Sequence, residues 1–226
     1  MSGAEILQPV GLSLALATVA TAILLLVGTP IAWWLARSRR RWVEPVAALL
    51  TLPLVLPPTV LGFYLLLALG PNGPGGSLAA LWGGRTLAFS FTGLVIGSVL
   101  SSLPFMIAPL RGAFAAIGSE PLESALCLGA SPWQRFWRVA LPLARPGFVS
   151  GAVLSFAHTV GEFGVVLMIG GNIPGQTKVL SIAIYDNVER LDWNTAHLLA
   201  AGMVVFAFVA IVLTTTLGRV GVQTGP

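Results

Sequence analysis

Residues 10–36 carry no charged side chain, and the same holds for residues 46–84, 86–110, 146–161 and 194–218. A helix that crosses a bilayer needs ~20 mostly apolar residues, so each stretch is long enough, or nearly so, to span one. Residues 46–84 are too many for one crossing and must include a loop. The fourth stretch meets Glu162, then resumes as Phe163 to Ile169. The chain is 56% hydrophobic and only 9% charged, whereas about a quarter of a soluble domain is charged. Lipid is the solvent that suits such a sequence. The expected fold class is all-α and polytopic, with five spans at 10–36, 46–69, 88–110, 146–169 and 196–218.

The charges set the orientation. Arg37, Arg39, Arg40 and Arg41 follow the first span, and basic residues beside spans mark the cytoplasmic side. The N-terminus is then expected outside and the C-terminus inside. Five spans also place Arg111, Arg135, Arg138, Arg145 and Arg219 on the cytoplasmic side, leaving Arg85, Lys178 and Arg190 outside. Basic residues in this arrangement report topology, so nucleic-acid binding does not follow. No basic residue precedes the first span, and its apolar run exceeds the ~7–15 residues of a signal-peptide core.

Pro30, Pro53, Pro57, Pro58, Pro104 and Pro109 fall in the spans, where proline removes a backbone donor and kinks a helix. Residues 71–77 form a turn-rich external loop. Residues 78–84 suggest a short interfacial helix with Trp82 at the headgroups, and Trp33, Trp34 and Trp42 read as interfacial anchors. Cys127, the single cysteine, reads as a small apolar residue in a packed turn. One cysteine supports neither a disulfide nor a cysteine zinc site.

Residues 111–145, between the third and fourth spans, are long for a connection. Local chemistry predicts two short helices. Ser119 caps the first, with Glu120 and Glu123 near its N-terminus. Leu122, Ala125 and Leu126 form its apolar face, and Gly129 ends it. Ser131 and Pro132 open the second helix, and Leu141–Pro142 ends it.

This loop resembles the EAA loop of binding-protein-dependent ABC importers: Glu-Ala-Ala, three residues, Gly, nine residues, Ile, one residue, Leu-Pro. Glu123, Ala125, Gly129, Val139, Leu141 and Pro142 stand at the family positions, with Ser124 and Val139 as the departures. The resemblance implies a type I importer permease fold in which this loop is a coupling helix docked on an ATP-hydrolysing subunit. Three other segments are similar to molybdate permeases: residues 52–62, Gly161-Glu162-Phe163-Gly164, and residues 171–177. Sulfate permeases share much of this, often with Tyr at the position of Phe163, so sulfate or tungstate is the alternative cargo. The resemblance covers residues 12–216, the expected permease domain. It implies a homodimer in the inner membrane, two copies of the ATPase, and an extracytoplasmic molybdate-binding protein.

A P-loop requires Gly, four residues, then Gly-Lys-Ser/Thr. The only lysine, Lys178, lacks that frame. The chain is therefore expected to be no enzyme and to hold no cofactor, with ATP and magnesium used by the partner. A secondary transporter would need intramembrane ionisable groups, for which only Glu162 and His158 are candidates. A purely structural membrane protein would leave the loop spacing unexplained.

Glu162 lies within a span, where a carboxylate costs ~2.5–3.5 kcal/mol unless it faces protein or water. His158, one turn earlier, shares its face. Two readings stand. His158, Gly161, Glu162, Phe163 and Gly164 belong to a pore or gate network, or Glu162 sits near the span's outer end, solvated or paired locally. Asp186, Glu189, Arg190 and Asp192 read as a solvated external loop, with docking of the binding protein as the alternative.

Overall fold

The computed structural model describes residues 3–81 and 83–219, with side chains placed for residues 7–81 and 83–216. Trp82 and the side chain of Arg219 lie outside the described residues. The described backbone is helical throughout its ordered elements. α1 is Gly3–Arg37, α2 Val43–Thr51, α3 Pro58–Leu69, α4 Pro74–Ala80, α5 Phe91–Ala116 and α6 Glu120–Cys127. α7 is Pro132–Arg135, α8 Leu141–Leu143, α9 Arg145–Gly161, α10 Gly164–Gly170, α11 Leu180–Glu189 and α12 Trp193–Arg219.

α1, α5 and α12 are each long and apolar enough to cross a membrane alone. Two bent pairs pass the same length and composition test, residues 43–54 with 58–69 and residues 132–143 with 145–161, which allows up to five spans. Of the second pair, 145–161 belongs to the expected fourth span and 132–143 to the loop before it. The first pair bends by 104°. Each of its halves rises about 18 Å, short of the ~30 Å hydrocarbon core, so neither crosses alone. The break has a local cause. Leu52–Leu54 is a 3₁₀ turn, Pro57 is extended (φ −54°, ψ 133°), and Pro58 starts α3. The fixed φ of proline suits the first helical position.

Two expectations about the spans need correction. Pro30, Pro104 and Pro109 lie inside continuous helices; of the expected kinks, only that around Pro53, Pro57 and Pro58 breaks a span. The fourth span is not continuous over 146–169. α9 stops at Gly161, Glu162 is extended (ψ 129°), and α10 restarts at Gly164.

α1, α5 and α9 pack as a central trio, with α12 against α9 and α3 against α10. Between helices in lipid, close packing replaces the hydrophobic drive. A Cβ at Gly164 would lie 2.6 Å from Pro58 Cβ, and one at Gly147 would lie 2.9 Å from the Pro109 carbonyl oxygen. Both glycines therefore let helix backbones approach. Two main cores result. One, near the arginine-bearing end, holds Leu24, Met106, Leu110, Phe114 and Leu122. The other, toward the far end, holds Leu16, Leu94, Val165, Ile169 and Ile182. Trp33 belongs to the first as a packing residue. Its ring meets Phe114 at 5.1 Å and Phe136 at 5.3 Å, edge to face. Trp34 and Trp42 remain exposed.

Candidate functional site

Two regions carry the candidate residues. The first is the segment between α5 and α9. Arg37 at the end of α1 donates to the Gly118 carbonyl at 2.7 Å and fixes where the segment leaves α5. Ser119 precedes α6, but its side chain makes no capping bond; only its carbonyl engages, accepting from the Leu122 and Glu123 amides. Gly129 takes φ +79°. In that conformation the Ala130 amide donates to the Ala125 carbonyl at 3.0 Å, which closes the helix. Glycine adopts it without the Cβ penalty of other residues. Ser131 and Gln134 then form a reciprocal capping box, at 3.2 and 2.9 Å, that opens α7. The backbone continues as a π-helical segment, Phe136–Ala140, into α8. Leu141–Pro142 does not end this helix. It runs to Leu143 and turns at Ala144.

The six loop residues divide in two. Glu123 and Gly129 are exposed on α6 and its terminal turn, with Ala125 half-buried beside them. Val139 is half-buried against the core, and Leu141 and Pro142 are half-buried on the second helix. The expected single apolar face of α6 also splits. Leu122 is 5% exposed and points into the core, whereas Leu126 is 53% and Leu128 87% exposed. Cys127 is exposed rather than packed. α6 thus holds the body with one leucine and presents two leucines and a carboxylate outward. Leu128 was missed in the sequence because it falls in the turn after the helix.

The second region is the break in the fourth span. Glu162 is 8% exposed, so it is not solvated; it pairs locally, the other form of the second reading. One carboxylate oxygen accepts from the Val165 amide at 3.1 Å. That amide lies in the first turn of α10, which has no intrahelical partner for it. The other oxygen lies 3.6 Å from His158 Nε2. The Glu162 carbonyl, freed by the break, accepts from Ser181 Oγ at 2.6 Å. A single residue therefore satisfies α10 and ties it to α9 and α11. Unsatisfied backbone groups in a bilayer cost several kcal/mol each, which is why such a break needs these partners.

The network extends to α5. Ser102 Oγ lies 3.0 Å from His158 Nδ1 and 2.9 Å from Thr159 Oγ1. Phe105 stacks on the imidazole at 4.1 Å. Ser102, Thr159 and Ser181 were not singled out in the sequence; hydroxyls inside apolar spans were the available signal for Ser102 and Thr159, while Ser181 lies outside the spans on α11. The structure brings His158, Glu162 and these hydroxyls together. Gly161 is exposed beside them, Phe163 packs on Tyr185 at 5.1 Å, and Gly164 serves close packing.

The charged residues near the far end also differ from expectation. Asp186 is 7% exposed and lies on α11, not in a solvated loop. It pairs with Lys178, with Arg190 at 3.1 Å, and accepts from Asn172 at 3.2 Å. Burial pushes its carboxyl up, but the Lys178 hydrogen bond and charge, with Arg190 and Asn172, outweigh that and hold it below the usual range. Asp192 is likewise lowered, chiefly by the Thr195 side-chain and backbone hydrogen bonds.

Known proteins place this architecture. Residues 28–222 match the model of the family described as binding-protein-dependent transport system inner membrane component. The molybdenum transport system permease protein ModB of Azotobacter vinelandii is 57% identical over 205 residues, 91% of each chain. The probable sulfate transport system permease protein cysT of Zygnema circumcarinatum is 32% identical over 202 residues, 89% of this chain and 69% of its own. Among solved structures, a bacterial alginate ABC transporter in complex with a pentasaccharide-bound periplasmic protein superposes with a TM-score of 0.74 at 18% identity. That match covers 100% of this chain and 82% of the other, and at that identity it speaks to fold alone. The type I importer permease fold expected from the loop is therefore the fold observed, and the chain belongs to the binding-protein-dependent transport system inner membrane components.

Proposed function

We propose that this chain is the membrane-spanning permease subunit of an ATP-driven importer, and that its cargo is molybdate. The observation that carries the first part is α6: a capped helix holding on by Leu122 while Glu123, Leu126 and Leu128 face outward. Such a surface suits docking into a groove of a separate ATP-hydrolysing subunit. The 57% identity to a molybdenum permease carries the cargo. Sulfate is the second reading, favoured by the 32% identical relative, while Phe163 stands where sulfate permeases often have Tyr.

In this reading the chain works as a homodimer in the inner membrane, with the arginine-bearing end cytoplasmic. Two ATPase copies dock on the two α6 helices and use ATP and magnesium, and an extracytoplasmic binding protein delivers the oxyanion. Closure of the ATPases moves α6, and through Leu122 the core around Phe114 and Met106. The bundles rock and alternate access, as in other transporters. The chain makes and breaks no covalent bond. His158, Gly161, Glu162, Phe163 and Gly164 form the gate element. Glu162 is no ligand, since a carboxylate repels a dianion. It holds α10 and α11 to α9 so that they move together.

The test is uptake of radiolabelled molybdate by vesicles containing the chain, its ATPase and the binding protein. ATP should drive accumulation, and excess unlabelled sulfate should not compete. Uptake that follows an ion gradient and ignores ATP overturns the importer reading. Sulfate competing on equal terms overturns the cargo.

A further inference from the structure

At the arginine-bearing end, α1 and the second helix of the loop do not meet along their whole length. Between them lies an open cavity of about 560 Å³. Pro30 and Trp33 line it from α1, Trp133, Phe136 and Trp137 from the loop, and Phe148 from α9. Its walls are almost wholly apolar side chains, yet Trp133 is 70% and Trp137 47% exposed. The two large indoles pack on each other at 5.2 Å and stay exposed at its edge.

Charge identifies the occupant. The Arg37 guanidinium lies 5.6 Å from the centre of the ring of Trp33, one of the cavity's lining residues. Arg39, Arg40 and Arg41 follow directly, and Arg135 and Arg138 flank the indoles in sequence. An apolar slot lined by tryptophans, with Arg37 against one of them and further arginines next in sequence, matches an amphiphile with an apolar tail and an anionic head. A water-soluble anion would leave the slot empty. A second copy of this chain would bring its own arginines against these.

We propose that this cavity is a binding site for an anionic phospholipid, one acyl chain lying between Trp33 and Trp133–Trp137 and the phosphate at Arg37. Nothing in the molybdate reading requires it. The site bears on function through its walls: the loop helix that forms one side leads directly from α6. A lipid wedged there stiffens the link between α6 and α1, so the head-group composition of the membrane tunes how strongly ATP hydrolysis is coupled to movement of the bundle.

The test uses the full permease–ATPase complex in nanodiscs. Each disc contains a fixed fraction of phospholipid with brominated acyl chains, either phosphatidylglycerol or phosphatidylcholine. Bromine quenches nearby indoles. The quenching lost in Trp133→Phe/Trp137→Phe reports occupancy of the cavity. It should favour the brominated anionic lipid by about fivefold, the effect of roughly one basic residue at an anionic surface. Arg37→Gln should remove that preference, and Arg37→Lys, which keeps a charge and a donor for the Gly118 carbonyl, should retain it. Equal quenching by both lipids in the unmodified chain overturns the head-group assignment. No quenching of these two indoles by either lipid, with cross-links between copies formed at Trp133→Cys, shows a second chain in the slot and overturns the proposal outright. Both readouts are independent of transport, so they stand apart from any result on cargo.

Discussion

Glu162 is the residue whose environment says most about its role. Its carboxylate replaces a missing helical acceptor for α10 and faces His158. Glu162→Gln keeps an acceptor for the Val165 amide and should leave thermal stability in detergent nearly unchanged. Glu162→Ala removes a cap, which costs about 1 kcal/mol, and leaves His158 without its neighbour; its melting temperature should fall measurably below that of the glutamine variant. Equal stability of the two would remove the capping role. Asp186 makes a different prediction. Its carboxyl is lowered in the folded state by Lys178, Arg190 and Asn172 against the push of burial. A depressed folded value means that the stabilisation is complete above the unfolded value of about 3.9 and is lost as pH falls below it. Melting temperature should therefore be insensitive to this group from neutral pH down to about 5 and drop at more acidic pH. Asp186→Asn should lower the neutral plateau by about 3 kcal/mol, since it strands Lys178, and make the acid limb shallower. An unchanged acid limb would show that the cluster is not folding-linked.

At the level of elements, α6 separates holding from docking. Leu122→Ala removes a side chain buried in the core and should cost about 2 kcal/mol of stability. Leu128→Ser, at an 87% exposed position, should change stability by less than about 0.5 kcal/mol. That variant should nonetheless weaken retention of the ATPase on the purified permease. A Leu128→Ser complex that stays intact would move the docking face elsewhere. A Cβ added at Gly129 would meet no atom within 4 Å beyond its chain neighbours, yet Gly129→Val forces a β-branched residue to φ +79°. Membrane insertion should persist while ATP-driven uptake is lost. Much of this element was legible in the sequence. The Gly129 turn and the Ser131–Pro132 helix start are local chemistry that the fold keeps, whereas the expected Ser119 side-chain cap does not form. The split of Leu122 from Leu126, and the exposure of Leu128, depend on where the body lies relative to α6. No pattern within the loop contains that information. The break at Glu162 was half legible: a charged residue in a span was plain to see, but its partners Ser102 and Ser181 stand on α5 and α11, far away in sequence.

For the whole molecule, spans and charge asymmetry were readable because lipid imposes length and polarity on each segment separately. The bends were harder. Of the prolines in the expected spans, only the Pro53–Pro57–Pro58 group stands at a break between helices; Pro30, Pro104 and Pro109 lie within unbroken helices. The proposed orientation rests on the basic residues alone, and the chain supplies its own probe for it. Cys127 is the single cysteine in the sequence, it is the last residue of α6, and it is exposed. A membrane-impermeant maleimide should leave it unlabelled in intact cells and label it in inside-out vesicles. Bound ATPase should slow that labelling, because α6 is the surface it covers. Labelling from the outside of intact cells would turn the molecule over and put its docking face beyond the reach of ATP. Labelling from inside at a rate indifferent to the ATPase would keep the orientation and move the point of force transfer away from α6.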